Sequence, residues 1–412
     1  MREEWPTKAL GKACEIRPPK SEARDKVSAD GLVSFLPMED LGIDQKFARP
    51  TQTKPLSEVV GSYTYFAEGD VLLAKITPCF ENGKLGIADG LANRIGFGSS
   101  EYIVFRPDGS LSKEWLYYYL SREVFRAEGA ARMSGAVGHK RVAKEFIESY
   151  PIPVPPLPEQ QRIVGILDKA SDSIATAKSN TTRNLHNARA LFDSHLHSVF
   201  TNRGKGWDRM TLGELLERGW IEGHLDGNHG GDYPRKEEFI SEGVPYISAS
   251  CLNDGRAEMT RAKYLAPSRA ALLRKGIAKD DDVLFAHNAT VGPVAILHTH
   301  EEKVILGTSL TYYRCNPRYV LPGYLAHYMR SFEFKAQYLQ VMRQSTRNQV
   351  PITKQREFFH IIPPLTEQKQ IIGVLDGLFA NGQVLELVYQ RKLAALDSLK
   401  ESLLQSAFGG EL

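Results

Sequence analysis

The sequence predicts an α+β protein: two mixed α/β globular segments separated by two long antiparallel helices, which form a coiled coil and repeat about an internal pseudo-twofold axis. Three observations predict this fold class: a motif that occurs twice in register, a stretch of helical periodicity after each copy, and short β-rich runs ahead of each copy. The predicted boundaries are 1–150 and 205–358 for the globular segments, and 151–204 and 359–412 for the linkers with their helices.

The duplication is clearest in one motif. Residues 156–168 read PLPEQQRIVGILD, and residues 364–376 read PLTEQKQIIGVLD. The offset is 364 − 156 = 208, and the same offset relates Phe200 to Phe408 without a gap. Chance could produce one shared Glu-Gln pair, but it would not keep register over two whole helices. Each half of the chain is therefore a copy of one ancestral unit.

Both matched stretches predict long amphipathic helices, because their apolar residues recur at spacings of three, four and seven. A helix of about 40 residues is roughly 60 Å long and cannot bury an apolar stripe alone. We expect the two helices to pack on each other and their surplus apolar surface to bind a partner protein; burial within the chain is the alternative. The positions assigned to these contacts are Ile163, Leu167, Ile174, Leu185, Phe192, Leu196, Ile371, Leu375, Leu378, Leu393, Leu399 and Leu403.

Pro-rich segments, 151–156 and 361–364, precede the two helices. Proline disfavours helix interiors and central strands, so we expect stiff extended backbone that continues neither a sheet nor a helix. Such backbone would couple each globular segment rigidly to its helix. An ordinary domain linker is the alternative for either copy alone, and recurrence at the same place favours the rigid coupling.

The globular segments combine short strands with helices. Apolar runs bounded by Gly, Asp and Pro predict strands such as Val71–Ile76 and Val283–Ala286. The stretches Trp115–Phe125 and Gly323–Phe334 each follow a strand and a turn, and each predicts one helix. These elements lie at matching places in the two halves.

Three features of the repeat point to a known family: the Pro-Pro-Leu-x-Glu-Gln segments at 155–160 and 363–368, the Ile-x-Gly-x-Leu-Asp continuations, and the run GDVLLA at 69–74. Together they resemble the specificity subunit of Type I restriction-modification systems, and the resemblance covers essentially the whole chain. The second copy of the GDVLLA run departs from the pattern, with Asp281 in place of the glycine and Phe285 in place of a leucine.

The resemblance implies two target recognition domains that read a bipartite site in double-stranded DNA. It also implies that the chain positions two methyltransferase (M) subunits, which methylate adenine with S-adenosylmethionine. Restriction (R) subunits would join the full complex and cut DNA with ATP and Mg. We therefore expect these cofactors on the partner subunits and none on this chain.

Polar stretches near the end of each globular segment, and the loops after the hydrophobic strands, are the candidate DNA contacts. Arg, Lys, Asn and Gln contact phosphates or make paired hydrogen bonds to base edges, while a solvated surface turn is the alternative. The candidates of the first half are Lys75, Thr77, Asn82, Lys84, Arg132, Ser134, His139, Lys140 and Arg141. Those of the second half are His287, Asn288, Thr290, Arg343, Ser345, Arg347, Asn348 and Gln349.

The sequence lacks the motifs that ATP hydrolysis or DNA methylation by this chain would require. It contains no Gly-x-x-x-x-Gly-Lys-Ser/Thr phosphate loop and no Asp/Asn-Pro-Pro-Tyr/Phe segment of an amino-methyltransferase. Its four cysteines are far apart, so we expect no metal site. A non-catalytic subunit is the prediction. A nuclease or DNA-modifying enzyme on the same scaffold, and a coiled-coil protein-binding scaffold, are the alternatives.

The charge and the hydropathy of the sequence limit how the protein could bind DNA and where in the cell it is expected. The net charge is only +3, so charge for DNA binding must be concentrated locally or supplied in part by a partner. We identify no apolar run approaching the roughly 18–20 residues of a membrane helix and no secretory leader. The expectation is a cytoplasmic protein without membrane contact.

Overall fold

The computed structural model describes residues 5–136, 138–228, 232–344 and 348–412. The chain forms two compact units: unit 1 contains Met1–Thr182 and Arg391–Leu412, and unit 2 contains Arg183–Gln390. The division passes through both long helices, Leu157–Thr201 and Leu365–Phe408. The boundaries drawn from the sequence give each helix a segment of its own. In the structure the helix ends belong with the globular segments, because their apolar residues enter the same cores.

Unit 1 is built on a five-stranded and a four-stranded sheet. In spatial order the first contains Cys14–Ile16, Tyr102–Pro107, Val71–Ala74, Leu85–Ala88 and Phe47–Ala48, and the second contains Gln52–Pro55, Leu32–Leu36, Ile95–Gly98 and Thr64–Ala67. Its shorter helices are Leu10–Ala13, Ser21–Lys26, Leu56–Val59, Lys113–Ser121, Glu123–Ala131 and Lys144–Ser149. The central strand Val71–Ala74 is buried at every position, as its unbroken apolar run predicts.

Unit 2 repeats this plan with a six-stranded and a five-stranded sheet. The first contains Ile221–Asp226, Leu310–Cys315, Val283–Asn288, Thr290–Ile296, Arg256–Ala257 and Leu252–Asn253, and the second contains Phe239–Ile240, Lys263–Leu265, Val244–Ile247, Val304–Leu306 and Ile277–Ala278. Its shorter helices are Leu212–Glu217, Pro267–Ala271, Pro322–Arg330, Phe332–Arg343 and Ile352–Gln355. The central strand, Val283–Asn288, again contains the apolar run that predicted it.

The single helices predicted at Trp115–Phe125 and Gly323–Phe334 are each two helices. Arg122 interrupts the first with an extended backbone (φ −64°, ψ 142°), and Ser331 interrupts the second in the same way (φ −65°, ψ 159°). The Ser331 hydroxyl accepts a hydrogen bond from the Phe334 N–H, so it caps and restarts the helix. Apolar periodicity continues through both breaks and therefore conceals them.

The Pro-rich segments form short strands, which corrects the expectation that they continue no sheet. Pro151–Pro153 pairs with Thr7–Ala9, and Phe359–Ile362 pairs with Asp208–Thr211. The Val154 N–H donates to the carbonyl of Pro6, the residue just before the opposite strand (2.8 Å), which makes alternate residues the bonding positions. Pro151 and Pro153 occupy the other positions, where an N–H is not required, and Pro363 and Pro364 follow the end of the second strand. Each pair closes its globular segment by joining the start of the segment to its end.

In unit 1 the two long-helix segments run antiparallel. Lys178 on the first helix forms an ion pair with Asp397 on the second. Ile163, which lies earlier on the first helix, shares a buried core with Leu404, which lies later on the second. Residue numbers therefore rise along one helix as they fall along the other.

Unit 2 shows the same antiparallel pairing within its own boundaries. Arg189 forms an ion pair with Glu386. Three residues further along the first helix, the ring of Phe192 lies 5.4 Å from that of Phe379, which is earlier on the second helix. The predicted packing of the two helices on each other is confirmed in each unit.

One helix of the described residues is long and apolar enough to cross a membrane by length and composition, which corrects the expectation that no such run exists. The helix is Leu365–Phe408, in which an 18-residue window has a mean hydropathy of 1.5 and only 6% of the window is buried. Composition alone is weak evidence for a membrane span, but the window shows that this helix carries more exposed apolar surface than its partner helix covers.

Candidate nucleic-acid interface

In unit 1 the two candidate segments lie side by side. The Val142 N–H donates to the Lys75 carbonyl (2.9 Å), and the Thr77 N–H donates to the Lys140 carbonyl (3.0 Å). The residues between these bonds form an isolated β-bridge. The loop after the central strand and the later polar stretch are therefore one surface, although the bridged residues Ile76 and Arg141 are 65 positions apart (141 − 76 = 65).

Unit 2 contains the same backbone arrangement. The Val350 N–H donates to the His287 carbonyl (2.8 Å), and the Ala289 N–H donates to the Asn348 carbonyl (2.9 Å). An isolated β-bridge again lies between the two bonds. We call this pattern of two bonds and a bridge the loop frame, and it occurs once in each unit at corresponding positions.

A charged cluster occupies the loop frame of unit 1. The Arg141 guanidinium donates two hydrogen bonds to the Glu101 carboxylate, from Nε (2.9 Å) and from Nη2 (2.7 Å). Lys75 lies 3.7 Å from the same carboxylate and donates to the Ser100 carbonyl (2.8 Å). Hydrogen bonding from Arg141 holds the pKa of Glu101 below its usual range, and burial lowers the pKa of Lys75. Sequence reasoning missed Glu101, because no pattern links it to the loop.

The other candidates of unit 1 are placed differently. Lys84 donates to two main-chain carbonyls (2.7 and 3.2 Å), so its ammonium group serves the fold. The Thr77 hydroxyl donates to a neighbouring glutamate (3.1 Å), and Arg132 donates to a main-chain carbonyl one turn earlier (2.9 Å). Ser134 exchanges backbone hydrogen bonds with Arg141 and closes the polar stretch into a loop. Asn82, His139 and Lys140 are exposed.

In unit 2 one candidate, His287, is buried beneath the loop. His287 is only 1% exposed, and its Nδ1 lies 3.0 Å from the Val350 carbonyl oxygen. Its side chain therefore faces the interior. Of the other candidates, Thr290, Arg343 and Asn348 are exposed, while Asn288 and Gln349 are partly exposed. Ser345 and Arg347 lie outside the described residues.

A buried amide, Gln355, holds the unit 2 loop frame in place. Its Nε2 donates to the Val350 carbonyl (3.2 Å), while its Oε1 accepts from the hydroxyls of Tyr313 (2.9 Å) and Thr311 (3.1 Å) and lies 3.0 Å from His224 Nε2. Burial lowers the pKa of His224 to about 4, so the imidazole is neutral at pH 7. This network was not found from the sequence, because its members are scattered along the chain.

The two loop frames differ in charge. In unit 1 the Lys75 N–H donates to the Glu101 carbonyl (2.9 Å), and the matching bond in unit 2 runs from the His287 N–H to the Ser309 carbonyl (2.9 Å). The positions of Lys75, Glu101 and Arg141 thus correspond to His287, Ser309 and Gln349. The carboxylate and the guanidinium of the unit 1 cluster are thus replaced by a serine and a glutamine in unit 2.

The aspartate that follows Gly69 forms a buried ion pair, and unit 2 contains an equivalent ion pair of its own. Asp70 accepts two hydrogen bonds from Arg106 (2.9 Å each), and Asp282 accepts two from Arg314 (2.9 and 2.7 Å). Each carboxylate also accepts a backbone N–H three residues earlier (2.8 Å). Both are almost fully buried. These pairs fix the start of the central strand whose far end leads into the loop frame.

The departure at Asp281 has a backbone explanation. Gly69 has φ +88°, and Asp281 has φ +64°, so both lie in the left-handed region. Glycine adopts that region most readily, and aspartate tolerates it better than most residues. The substitution therefore keeps the turn, and the second copy of the run is structurally equivalent to the first.

The repeated Glu-Gln motif is a joint between each globular segment and its helix. Gln160 is fully buried; its Oε1 accepts from the Ser112 N–H, and its Nε2 donates to the carbonyls of Ser110 and Pro155 (2.8 Å each). Its counterpart makes the same three bonds in unit 2: Gln368 accepts from the Leu321 N–H (2.9 Å) and donates to the carbonyls of Tyr319 and Pro363 (2.8 Å each). The motif thus joins the start of a globular-segment helix, Lys113–Ser121 or Pro322–Arg330, to the Pro-rich segment and the long helix.

The long helices divide into a buried and an exposed set. Of the predicted contact positions, Ile163, Leu167, Ile174, Leu196 and Leu375 are buried; Leu185, Phe192, Ile371, Leu378, Leu393 and Leu403 are partly buried; and Leu399 is exposed. Further apolar side chains of the second helix are exposed: Val374, Val384, Leu385, Leu387 and Val388. Apolar surface is therefore exposed on the second helix beyond the positions that the sequence assigned to helix and partner contacts.

A group of three side chains that could hold a metal ion, Asp280, Asp281 and His298, lies among the described residues. All three are exposed, and His298 Nδ1 is 3.5 Å from an Asp281 carboxylate oxygen. Spacing in the sequence did not indicate this group, because it forms only when two turns meet. Exposed carboxylates of this kind commonly hold no ion.

Comparison with known proteins agrees with this architecture. The model of the Type I restriction modification DNA specificity domain matches residues 2–184 and again residues 204–387. The chain is 39% identical over 170 residues to the Type I restriction enzyme EcoEI specificity subunit of Escherichia coli, covering 41% of this chain and 28% of that protein. It is 34% identical over 226 residues to the EcoAI specificity subunit of Escherichia coli, covering 54% of this chain and 36% of that protein.

Solved structures share the fold. A chain of a type I R-M system matches with a TM-score of 0.78 and 19% identity, covering 100% of this chain and 99% of that chain. The HsdS subunit of Thermoanaerobacter tengcongensis matches with a TM-score of 0.60 and 19% identity, covering 100% and 98%. The match spans about a third of the length of the two curated relatives. With two copies of the domain accounting for most of its residues, the chain belongs to the Type I restriction-modification DNA specificity family.

Proposed function

We propose that this chain is the DNA sequence-recognition subunit of a Type I restriction-modification complex, in which each unit reads one half-site of a bipartite sequence in double-stranded DNA. The observation that carries the proposal is the loop frame, whose backbone bonds are the same in both units while the side chains around it differ. One backbone that presents different polar side chains suits two different base sequences.

The charge distribution supports the same function. The net charge of +3 is small, but the unit 1 loop frame places Lys75, Lys140 and Arg141 close together on one surface. Local concentration of cations is what phosphate contacts require. Partner subunits would supply the remainder of the positive charge.

The partners in this proposal are two methyltransferase (M) subunits and, in the full complex, restriction (R) subunits. The exposed apolar residues of Leu365–Phe408 support a protein interface, since contiguous exposed apolar surface marks docking sites. S-adenosylmethionine, ATP and Mg²⁺ would be bound by those partners, and this chain would carry out no chemical step.

The test is selection of duplex DNA from a random pool by the chain in complex with its M subunits. We expect a motif of two specified parts with a spacer of fixed length. The double variant His139→Ala/Lys140→Ala should weaken base preference in one part only. Asn348→Ala/Gln349→Ala should weaken it in the other part only. Lys169→Ala, an exposed change on the first long helix, is the matched control.

Three results would contradict the proposal. Both loop variants could affect the same part of the motif, which would separate the frames from half-site reading. The purified chain alone could cut or methylate DNA when given Mg²⁺ and S-adenosylmethionine, which would favour an enzyme. The complex could assemble yet select no sequence, which would favour a protein-binding scaffold.

A further inference from the structure

The side chain of Arg141 is held along one edge and open along another. Its Nε and Nη2 donate to the two oxygens of Glu101 (2.9 and 2.7 Å), and its Nη1 donates to the His139 carbonyl (3.2 Å). A guanidinium carries five N–H groups, so two remain, one on Nη1 and one on Nη2. These two have no acceptor among the residues that the structure describes, and the side chain is 48% exposed.

The remaining pair of N–H groups forms a planar fork. Arginine forks of this kind match the O6 and N7 acceptors that guanine presents in the major groove, and this is the commonest base-specific contact in protein–DNA complexes. A fork that is free to rotate would contact phosphate as readily as base, so its orientation decides which of the two it recognises.

Glu101 is in a position to fix that orientation. Its carboxylate is 21% exposed and is held from a second side by Lys75, whose ammonium group lies 3.7 Å away and is only 16% exposed. The Glu101 carbonyl also accepts the backbone N–H of Lys75 (2.9 Å), which ties this residue to the loop frame. The carboxylate is thus a fixed support for one edge of the guanidinium.

We propose that Arg141 reads a guanine in the half-site bound by unit 1, and that Glu101 is the positioning residue that holds the guanidinium edge-on for this contact. The inference rests on the proposed DNA-reading function and extends it to one base and one residue pair. It applies to unit 1 alone, because Ser309 and Gln349 occupy the corresponding positions of unit 2 and provide neither a carboxylate nor a guanidinium.

The experiment is sequence selection by the complex of the chain with its M subunits, followed by binding to DNA with single-base replacements. The wild type should require guanine at one position of the unit 1 half-site. Arg141→Lys keeps the charge and removes the fork, so discrimination at that position should fall by about 10- to 100-fold while discrimination at other positions stays unchanged. Glu101→Ala should lower discrimination at the same position, and Glu101→Gln should restore part of it, because the amide still offers one acceptor.

Asp89→Asn is the matched control for Glu101. Asp89 also accepts from an arginine side chain, Arg49 Nε (2.6 Å), but it follows the end of strand Leu85–Ala88 that is remote from the loop frame. It should leave every base preference unchanged. Thermal unfolding of each variant would show whether a change reflects lost folding.

Three results overturn the inference. If Arg141→Lys leaves all base preferences intact while the wild type selects a bipartite site, the guanine contact fails and the proposed function stands. If the Glu101 variants raise affinity equally for all sequences, Glu101 merely repels DNA and positions nothing. If the wild type selects no sequence at all, the proposed function fails and the inference falls with it.

Discussion

Gln160→Ala is the change whose effect follows most directly from the structure. The variant removes the side-chain oxygen that accepts from the Ser112 N–H and, at the same time, removes a donor from the Ser110 and Pro155 carbonyls. Each buried polar group left without a partner costs about 1–3 kcal/mol. Water entering the vacated space can restore part of the bonding. We expect unit 1 to lose about 3–5 kcal/mol of stability.

Amide hydrogen exchange is the suitable measurement, because a chain of two units need not unfold in one step. The Ser112 N–H donates to Gln160, so its exchange should accelerate by on the order of 10²–10⁴-fold if local opening becomes easier by that amount. Amides of unit 2 should keep their protection. Gln368→Ala should produce the mirror result, with the Leu321 N–H as its reporter.

The neighbouring residue provides the control. Gln161 is exposed and lies on the same turn of the same helix, so Gln161→Ala should change exchange little. If Gln160→Ala proved no more disruptive than Gln161→Ala, the three bonds would not stabilise the joint, and the reasoning about the Glu-Gln motif would be refuted.

Three further predictions concern other parts of the chain. Unit 2 should lose stability as the pH falls from about 6.5 to about 4, by up to about 3 kcal/mol for each of His224 and His360. Burial lowers the pKa of each imidazole to about 4, whereas the same imidazoles in the unfolded chain gain protons from about pH 6.5 downward. Unchanged exchange protection in unit 2 at pH 4.5 would contradict this. Gly69→Ala should lower the free energy of unfolding of unit 1 by about 1–2 kcal/mol, because φ is +88° at this position. The added Cβ would clash with nothing, since its nearest neighbour is 3.6 Å away, so backbone strain alone causes the loss. Denaturant unfolding measures it, and an unchanged stability would contradict the strain argument. Leu387→Asp should abolish assembly with the M subunits in size-exclusion chromatography without lowering the melting temperature, because Leu387 is 48% exposed; normal assembly would place the interface elsewhere.

The sequence by itself determined the duplication, the long helices and the central strands of both units. These follow from periodicity and from an offset of 208 residues that can be counted directly, and the buried runs at 71–74 and 283–286 lie where apolar composition places them. The sequence also indicated both polar stretches and both loops as separate candidates. All of these features depend on residues that are near one another along the chain.

Tertiary structure alone decided which of those candidates share a surface. Hydrogen bonds between residues 59 to 67 positions apart join each loop to its polar stretch, and nothing in local composition encodes such a pairing. The same limit hid Glu101 and Gln355, whose roles come from partners distant in sequence. The tertiary structure also distinguishes His287 and Lys84 from the exposed side chains around them, although composition groups both residues with the DNA contacts. Burial and hydrogen bonding belong to the folded arrangement, so a residue's type could suggest its role and only its neighbours could assign it.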